Sequence, residues 1–303
     1  MPDDVTLSII TVLHDVRELS RECLRSVYAS QAPFAFELIA VDTGTDGSAA
    51  MVRAEFPAAL VLEAPENPGY SAANNLGLRR ARGRYFLLLN PDTVVPPDAL
   101  AALVTRMESD PGDPSGGRVI GILGPKLIRG DGSLDLASRR SFPTPENAAY
   151  HFLRLPKLFP GSPRFGAYNL TYRDPDQEYE VDSITGACML IRRTVLEHIG
   201  LLDETFWMYG EDIDLCWRSK AAGWRTHYYP MVVVRHLKGQ SSKRRSLRCT
   251  YEFFRAMLIF YWKHYAPRAG AVKNAAVTAA IVTIGACSLL ADRLRPAEYR
   301  RVS

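Results

Sequence analysis

Apolar runs and amphipathic stretches alternate along the first 125 residues. The strand-like runs are Leu7–Leu13, Phe36–Asp42, Leu60–Glu63 and Tyr85–Leu89. Helix-like stretches separate them, the clearest at 17–30 and 71–81. Strands that alternate with helices at this spacing predict a mostly parallel sheet covered by helices on both faces, and continuous apolar runs are typical of strands buried on both sides.

The pattern is interrupted between residues 120 and 179. Prolines stand at positions 125, 143, 145, 156, 160, 163 and 175 of this segment. Such punctuation predicts an irregular insertion over one edge of the sheet instead of a separate domain. Regular patterns return at 181–192, in a helix that begins near Glu211, and in two strands at 224–229 and 232–236.

The end of the chain has a different composition. Residues 246–265 carry apolar and aromatic side chains at helical spacing, and the seventeen residues 275–291 contain no charge. Because this length is at the lower limit for a membrane span, three arrangements stay open: an in-plane anchor, a short span, or a helix packed on the core. The expected units are 1–240, with halves 1–125 and 126–240, and a basic helical appendage at 241–303.

The charge distribution changes the interpretation of that appendage. The chain of 303 residues has a net charge of +4, yet from Arg235 onward fourteen Lys and Arg residues accompany three Asp and Glu. Anionic lipid, a diphosphate ligand or nucleic acid could attract such a tail. Its aromatic side chains lie on the apolar helical stripe and no nucleic-acid recognition motif is present, so nucleic acid is disfavoured. The five scattered cysteines favour reduced thiols.

Polar side chains follow three of the predicted strands. Asp15 comes after the first strand, Asp42 ends the second, and Asn90 and Asp92 follow the fourth. Ligands bind beyond the carboxyl ends of such strands, so these residues are expected to share one cleft. The absence of G-x-G-x-x-G after the first strand disfavours a dinucleotide. Asp92 beside Asn90 suits Mg²⁺ or Mn²⁺ held together with ligand phosphates; a turn or helix-capping role for Asp92 is the alternative.

Three carboxylates open the helix predicted near Glu211. Acidic residues are favoured at a helix N-terminus, but Glu211, Asp212 and Asp214 exceed what capping requires. Crowding raises their proton affinity and the helix terminus lowers it, which leaves a basic but ionised carboxylate. We therefore predict Asp212 as a general base, Glu211 as the neighbour that tunes it, and Asp214 as structural. His236 ends the last strand and is either structural or a further metal ligand.

Four further residues are candidates for contact with a ligand. Arg139 and Arg140 lie in the irregular insertion, where paired guanidinium groups suit a diphosphate; a solvated loop is the alternative. Trp207 and Tyr209 precede the carboxylates and are expected either to stack on a sugar or to pack in the core.

Six short motifs follow one another in a recognisable order. They lie at 7–13, 41–48, 66–77, 89–93, 186–192 and 203–214. Together they resemble family 2 inverting glycosyltransferases, most closely the bacterial rhamnosyltransferases that act on acceptors linked to polyprenyl diphosphate. The resemblance implies an α/β GT-A fold, which is that of nucleotide-diphospho-sugar transferases, with a mostly parallel sheet flanked by helices and a C-terminal helical, membrane-associating appendage.

The resemblance also implies roles for single residues. The donor-binding positions would be Asp15, Asp42, Asn90, Asp92, Gly186 and Ala187. Asp92, with His236, would hold Mg²⁺ or Mn²⁺, and Asp212 would be the base for displacement with inversion. Family members often carry Asp where this chain has Asn90, which weakens the expectation of tight metal dependence.

The function implied is transfer of L-rhamnose from dTDP-L-rhamnose to a lipid-linked saccharide at the cytoplasmic face of a bacterial inner membrane, by a peripheral or monotopic protein. The expected partners are the donor, the acceptor and, through the C-terminal helices, the membrane surface; no nucleic-acid partner is expected, and a homo-oligomer is left open. One alternative is a UDP-sugar donor with another acceptor. Sugar-1-phosphate nucleotidylation needs a Gly/Arg/Lys-rich loop, which 13–16 is not. A non-catalytic membrane adaptor is disfavoured by intact Asp42, Asp92 and Asp212.

Overall fold

The computed structural model describes residues 5–110, 112, 119–237 and 247–294. The strands of this described part are β1 (Leu7–Leu13), β2 (Phe36–Asp42), β3 (Leu60–Glu63), β4 (Tyr85–Leu89), β5 (Thr93–Val94), β6 (Ile120–Arg129), β7 (Tyr179–Glu180), β8 (Cys188–Arg192) and β9 (Arg225–His236). Its α-helices are α1 (Arg17–Tyr28), α2 (Ser48–Glu55), α3 (Tyr70–Leu78), α4 (Ala99–Glu108), α5 (Pro145–Phe152), α6 (Leu155–Leu158), α7 (Arg193–Ile199), α8 (Glu211–Ala221), α9 (Leu247–His264) and α10 (Ala271–Leu294). The strands form one sheet in the order β3-β2-β1-β4-β8-β6-β9-β5, with β7 paired to β9.

The first half of the sheet confirms the predicted strands. β1 to β4 have the bounds of the four apolar runs, and β1 pairs in parallel with both β2 and β4, while β3 extends the sheet from β2. Helix α1 begins at the predicted residue, Arg17, and α3 begins one residue before the predicted start, at Tyr70. The central strands are buried on both faces, which is why their sequences show no alternation.

The second half of the sheet contains one reversal of direction. β8 lies antiparallel between β4 and β6, whereas β6 and β9 run parallel to each other. The start of β8 therefore lies at the sheet edge where β1, β2, β4 and β9 end. Gly186 and Ala187, which precede β8, are thereby brought to the edge that carries Asp42, Asn90 and His236.

Two predictions about the second half are wrong. Residues Ile120–Arg129, expected to be irregular, form the ten-residue strand β6 inside the sheet. Gly124 belongs there because Ile184 packs where a side chain would be, and Pro125 stands at a register shift against β9. The two strands expected near the end are one strand of twelve residues, β9, which continues across that shift. Residues 130–179 contain α5, α6 and β7 and are otherwise irregular, as expected.

Apolar layers hold helices on both faces of the sheet, as predicted. On one face α1 and α4 contribute buried side chains such as Leu24 and Leu103. On the other face α3 and α8 contribute Ala73 and Leu215. The resulting three-layer α/β architecture has a single sheet whose carboxyl edge carries the polar residues singled out above.

A smaller apolar cluster attaches the C-terminal helices. Phe206, which precedes α8, and Ile213, which lies within it, pack against Ala256 and Phe260 of α9. Helix α9 is thus part of the folded body. The predicted boundary between residues 240 and 241 lies outside the described residues.

Helix α10 runs back along α9. The hydroxyl of Tyr261 on α9 donates to Asn274 Oδ1 on α10 at 2.8 Å. The backbone of Gly285 lies against the ring of Phe254, which an added Cβ would approach to 3.0 Å. Among the described residues, α10 is the one helix long and apolar enough to cross a membrane, and 11% of its most apolar window is buried. Burial this low is not that of a core helix.

Candidate active site

Asp42 and Asp15 lie together at the ends of β2 and β1. The carboxylate of Asp42 accepts hydrogen bonds from the backbone N–H groups of Gly44 (3.0 Å) and Ala49 (2.7 Å), and so holds the turn that leads into α2. Asp15 has a left-handed backbone, with φ 52°, and accepts from the N–H of Thr45 at 2.8 Å. Asp15 is exposed, whereas Asp42 is buried. The structure therefore brings both predicted donor residues to one loop.

Asp92 and His236 meet at the same edge. The short strand β5 pairs with the end of β9 and sets Thr93 opposite His236. Asp92 Oδ1 consequently lies 3.3 Å from His236 Nε2, and both side chains are buried. The structure brings these two predicted metal-binding residues together although 144 positions separate them in the chain.

The sequence analysis missed Asp135, the second partner of His236. Asp135 is 1% exposed, and its Oδ2 lies 3.0 Å from His236 Nδ1. Burial alone would lower the pKa of His236, but the two carboxylates, Asp135 and Asp92, overcome this and raise its pKa to about 9. Asp135 follows β6 in a segment without periodicity, so no local pattern pointed to it.

The donor set of this pair suits a hard divalent cation. Asp92 offers a carboxylate oxygen and His236 an imidazole nitrogen, while Asp135 can fix the ring from its far side. In the described part of the chain, no group of three or more His, Cys, Asp or Glu residues is placed to hold a metal. Asp92 and His236 would thus form a partial ligand set that phosphate oxygens of a nucleotide would have to complete, and His236 Nε2 would have to lose its proton to bind the cation.

Tyr70, to which no role was assigned from the sequence, connects Asn90 with Gly186. Its hydroxyl lies 2.8 Å from Asn90 Oδ1 and 3.2 Å from the carbonyl oxygen of Gly186. The N–H of Asn90 donates to the carbonyl of Ala187 at 2.9 Å. Burial and nearby carboxylates raise the pKa of Tyr70, so its phenol stays protonated and acts as a donor. A side chain at Gly186 would point at Tyr70 and Asp212, so its glycine leaves that space open.

Asp212 is held on the other side of Gly186. Its Oδ2 accepts from Arg140 Nη2 at 2.7 Å and from the N–H of Gly186 at 3.2 Å, while Oδ1 accepts from the N–H of Ile213 at 2.7 Å. The side chain is buried at the start of α8. These contacts orient one carboxylate towards the sheet edge that also carries Asn90 and Asp92.

Glu211 has a different environment from its neighbour. It is 6% exposed, and its Oε2 has no hydrogen-bond partner among the described residues. Burial, reinforced by the charge of Asp212, raises the pKa of Glu211 to about 8. Burial thus favours the protonated form of Glu211 more than it would for an exposed glutamate.

The guanidinium groups of Arg139 and Arg140 contact different parts of the structure. Arg139 does not lie in a solvated loop, because its guanidinium is buried against Tyr179 and the carbonyl of Arg173. Arg140 is also buried, with its guanidinium on Asp212 and on the carbonyl of Ile184. Alternating side-chain directions in an extended segment separate the two residues, so Arg140 alone reaches the site.

Trp207 and Tyr209 differ in exposure. Trp207 is partly buried: its backbone and ring lie against Gly69, and the guanidinium carbon of Arg248 lies 3.8 Å from its ring centroid. Tyr209 is 36% exposed and has its ring edge-on to Phe253 at 5.8 Å. Tyr209 is thus the more accessible of the two predicted stacking residues.

Asp214 belongs to the attachment of α9, consistent with the structural role predicted for it. Its carboxylate is 0% exposed and lies 2.8 Å from both His264 Nε2 and Lys263 Nζ of α9, and 2.7 Å from Arg218 Nε. Burial opposes ionisation, but His264, Arg218 and Lys263 prevail and lower the pKa of Asp214 to about 2.

The sequence matches known families along most of this fold. The model of "Glycosyl transferase family 2" matches residues 8–200, and that of "Glycosyltransferase like family 2" matches residues 164–252. The chain belongs to glycosyl transferase family 2, and the protein is a glycosyltransferase.

Two relatives of the chain are named rhamnosyltransferases. The chain is 29% identical over 218 residues to the N-acetylglucosaminyl-diphospho-decaprenol L-rhamnosyltransferase of Mycobacterium tuberculosis, covering 68% of each chain. It is also 29% identical over 179 residues to the rhamnosyltransferase WbbL of Escherichia coli K12, covering 55% of this chain and 60% of the relative. The resemblance to bacterial rhamnosyltransferases inferred from the motifs is thereby confirmed.

Solved structures confirm the GT-A fold. The mannosyltransferase PcManGT from Pyrobaculum calidifontis, in complex with GDP-Man and Mn²⁺, has a TM-score of 0.56 at 18% identity and covers 96% of this chain and 78% of its own. GalNAc-T7 with UDP, GalNAc and Mn²⁺ has a TM-score of 0.55 at 16% identity, and the match covers 77% of this chain and 43% of that protein. At these identities the likeness concerns the fold alone.

Proposed function

We propose that this glycosyltransferase moves L-rhamnose from dTDP-L-rhamnose to a saccharide carried on polyprenyl diphosphate, in the synthesis of a cell wall or surface polysaccharide. The observation that carries the proposal is the placement of Asp212 beside the open space at Gly186, on the sheet edge that holds Asp92 and His236. The printed activity of the mycobacterial relative supports the choice of donor sugar and lipid carrier.

In the proposed reaction, Asp212 accepts the proton of the acceptor hydroxyl as the hydroxyl oxygen bonds to the anomeric carbon. The bond from that carbon to the donor's diphosphate oxygen breaks on the opposite face, so the configuration inverts and the nucleoside diphosphate leaves with the electron pair. Arg140 and the Gly186 N–H orient the Asp212 carboxylate, which reduces the cost of positioning it.

The other predicted residues have supporting roles in this proposal. Asp42 and Asp15 would shape the nucleotide-binding loop, and Tyr209 would present its exposed ring to the acceptor. Asp92 and His236 would hold Mg²⁺ or Mn²⁺, which when bound offsets the charge of the leaving diphosphate.

The acceptor proposed here is a lipid, so the protein would work at the cytoplasmic face of a bacterial inner membrane. Helix α10 supports this location because it is apolar and largely exposed. It follows α9, whose contacts to Gly210 and Asp214 lie on the catalytic body. An α10 that stays on α9 lies beside that body, which favours an in-plane orientation over a perpendicular span.

A panel of nucleotide sugars, offered with GlcNAc-diphosphopolyprenol in the presence of Mn²⁺, tests the proposal. We expect transfer from dTDP-L-rhamnose, with a product of inverted anomeric configuration by NMR. Exclusive use of a UDP-sugar would replace the proposed donor with the alternative one. Donor binding without transfer to any acceptor would support the non-catalytic adaptor instead.

A further inference from the structure

An apolar segment is exposed to solvent at the end of α5. Residues 152–159 read Phe-Leu-Arg-Leu-Pro-Lys-Leu-Phe, and neither α5 nor α6 contains a buried residue. The exposed large apolar side chains are Phe152 (37%), Leu153 (67%), Leu158 (69%) and Phe159 (52%). Single exposed leucines are ordinary, but four large apolar side chains within eight residues form a surface that needs a partner.

Two cations interrupt this apolar segment. Arg154 and Lys157 are both exposed. Basic side chains among exposed leucine and phenylalanine are typical of a segment that lies in a membrane interface, because the apolar groups enter the acyl region while the cations stay at anionic headgroups.

Packing connects this segment to the C-terminal helices. The ring of Phe152 stacks on the ring of Phe254 in α9, with centroids 6.3 Å apart and planes at 17°. The ring of Phe254 also lies against Gly285 in the middle of α10. Phe254 therefore links the exposed segment to α10, whose exposed side chains include Val282 (52%) and Leu290 (61%).

We propose that residues 152–159 insert into the surface of an anionic bilayer beside α10 and form a second membrane contact of the enzyme. This inference rests on the proposed lipid-linked acceptor and adds a segment outside the C-terminal helices. Helix α5 begins five positions after Arg140, whose guanidinium is bonded to Asp212. Insertion would thus hold the catalytic base close to the headgroup level, where the diphosphate of a lipid-linked acceptor lies.

Vesicle flotation of the full-length protein tests the proposal. The probes are vesicles of phosphatidylethanolamine with phosphatidylglycerol, compared with phosphatidylcholine alone. Leu153→Ser combined with Leu158→Ser should weaken binding to the anionic vesicles at least about tenfold, since two leucine side chains are withdrawn from the acyl region. Met231→Ser, at a side chain that is 70% exposed on β9, is the matched control and should bind as the wild type does.

A second variant separates charge from apolar insertion. Arg154→Ser with Lys157→Ser should reduce the preference for anionic over neutral vesicles about tenfold. Unchanged binding by both double variants would overturn the proposal. So would a wild-type dimer, seen by sedimentation velocity without lipid, that Leu153→Ser with Leu158→Ser dissociates, because the segment would then bind a second copy.

Transfer to a short-chain, water-soluble acceptor distinguishes this inference from the proposed function. The leucine double variant should retain wild-type transfer in this assay while losing vesicle binding. A wild type that transfers no sugar contradicts the proposed function and leaves the flotation result standing. Normal vesicle binding by the double variant contradicts the inference even if transfer is as proposed.

Discussion

Replacing Asp214 with asparagine tests whether one buried charge stabilises the packing of α9 against α8. The Asp214 carboxylate is fully buried and contacts Arg218 on its own helix and both Lys263 and His264 on α9. Helix α8 begins with Glu211 and Asp212, so the same helix carries the carboxylates of the proposed catalytic site and this attachment. The substituted asparagine would keep the shape of the side chain and remove its charge.

Two routes give the size of the expected effect. A pKa lowered from 3.8 to about 2 corresponds to about 2 kcal/mol in favour of the folded protein when Asp214 is ionised. Removing one partner of a buried ion pair typically costs about 3 to 5 kcal/mol, because the opposite charges remain buried. We therefore expect Asp214→Asn to lower the free energy of unfolding by about 2 to 5 kcal/mol at pH 7.

The pH dependence has a definite sign. Because the folded-state pKa of Asp214 is below its ordinary value of 3.8, its stabilisation is fully present above about pH 4 and is lost as the pH falls towards about 2. Asp214→Asn should lack this component of acid destabilisation, so the difference between variant and wild type should shrink over that interval.

Urea unfolding monitored by tryptophan fluorescence provides the measurement. Trp217 reports on the α8–α9 contact, since its ring centroid lies 4.8 Å from that of His264 and 5.8 Å from that of Phe260. Asp203→Asn is the control: Asp203 binds the same Lys263 nearer the surface, where an ion pair contributes less than about 1 kcal/mol. Equal losses in the two variants, or an unchanged midpoint for Asp214→Asn, would refute the buried-charge explanation.

Three further predictions concern the catalytic edge. Asp212→Asn should bind donor normally by calorimetry but transfer sugar at least about 100-fold more slowly, as expected for loss of a positioned base; near-normal turnover would remove Asp212 from that role. His236→Ala should raise the Mn²⁺ concentration needed for activity, and an identical metal titration would make the residue structural. Asp135→Asn should weaken Mn²⁺ binding, followed by electron paramagnetic resonance, about tenfold because the carboxylate behind the imidazole becomes a neutral amide. Asp131→Asn, at an exposed neighbouring turn, should leave that binding unchanged.

Local pattern predicted those parts of the fold whose signals are local. The runs of β1 to β4 are rich in apolar residues and contain no glycine or proline, so their bounds could be taken from the sequence. Strand β6 contains two glycines and a proline, which in a sequence predict a turn. It is nevertheless a strand of the sheet, in which Ile184 packs against Gly124. A close approach of that kind has no signature in the strand's own residues.

The hydrogen-bond partners of the carboxylates likewise could not be predicted from local sequence. Polar residues at strand ends predicted that Asp42 and Asp92 share an edge, because parallel strands end together. The partners that differentiate the acids come from distant positions: Arg140 is 72 residues from Asp212, and Asp135 is 101 residues from His236. The pair Arg139 and Arg140 looked equivalent in the sequence, yet only the second is bonded to Asp212.

Local apolar patterns and ordered short motifs were sufficient to predict the family, the α/β order of the first half, and the placement of Asp42 and Asp92 at the sheet edge. The partners of Asp212 and His236, and the attachment of the C-terminal helices, follow only from the tertiary structure. The physical reason is that burial and ion pairing depend on side chains brought together by the sheet order, and hydrophobic periodicity carries no record of such pairings.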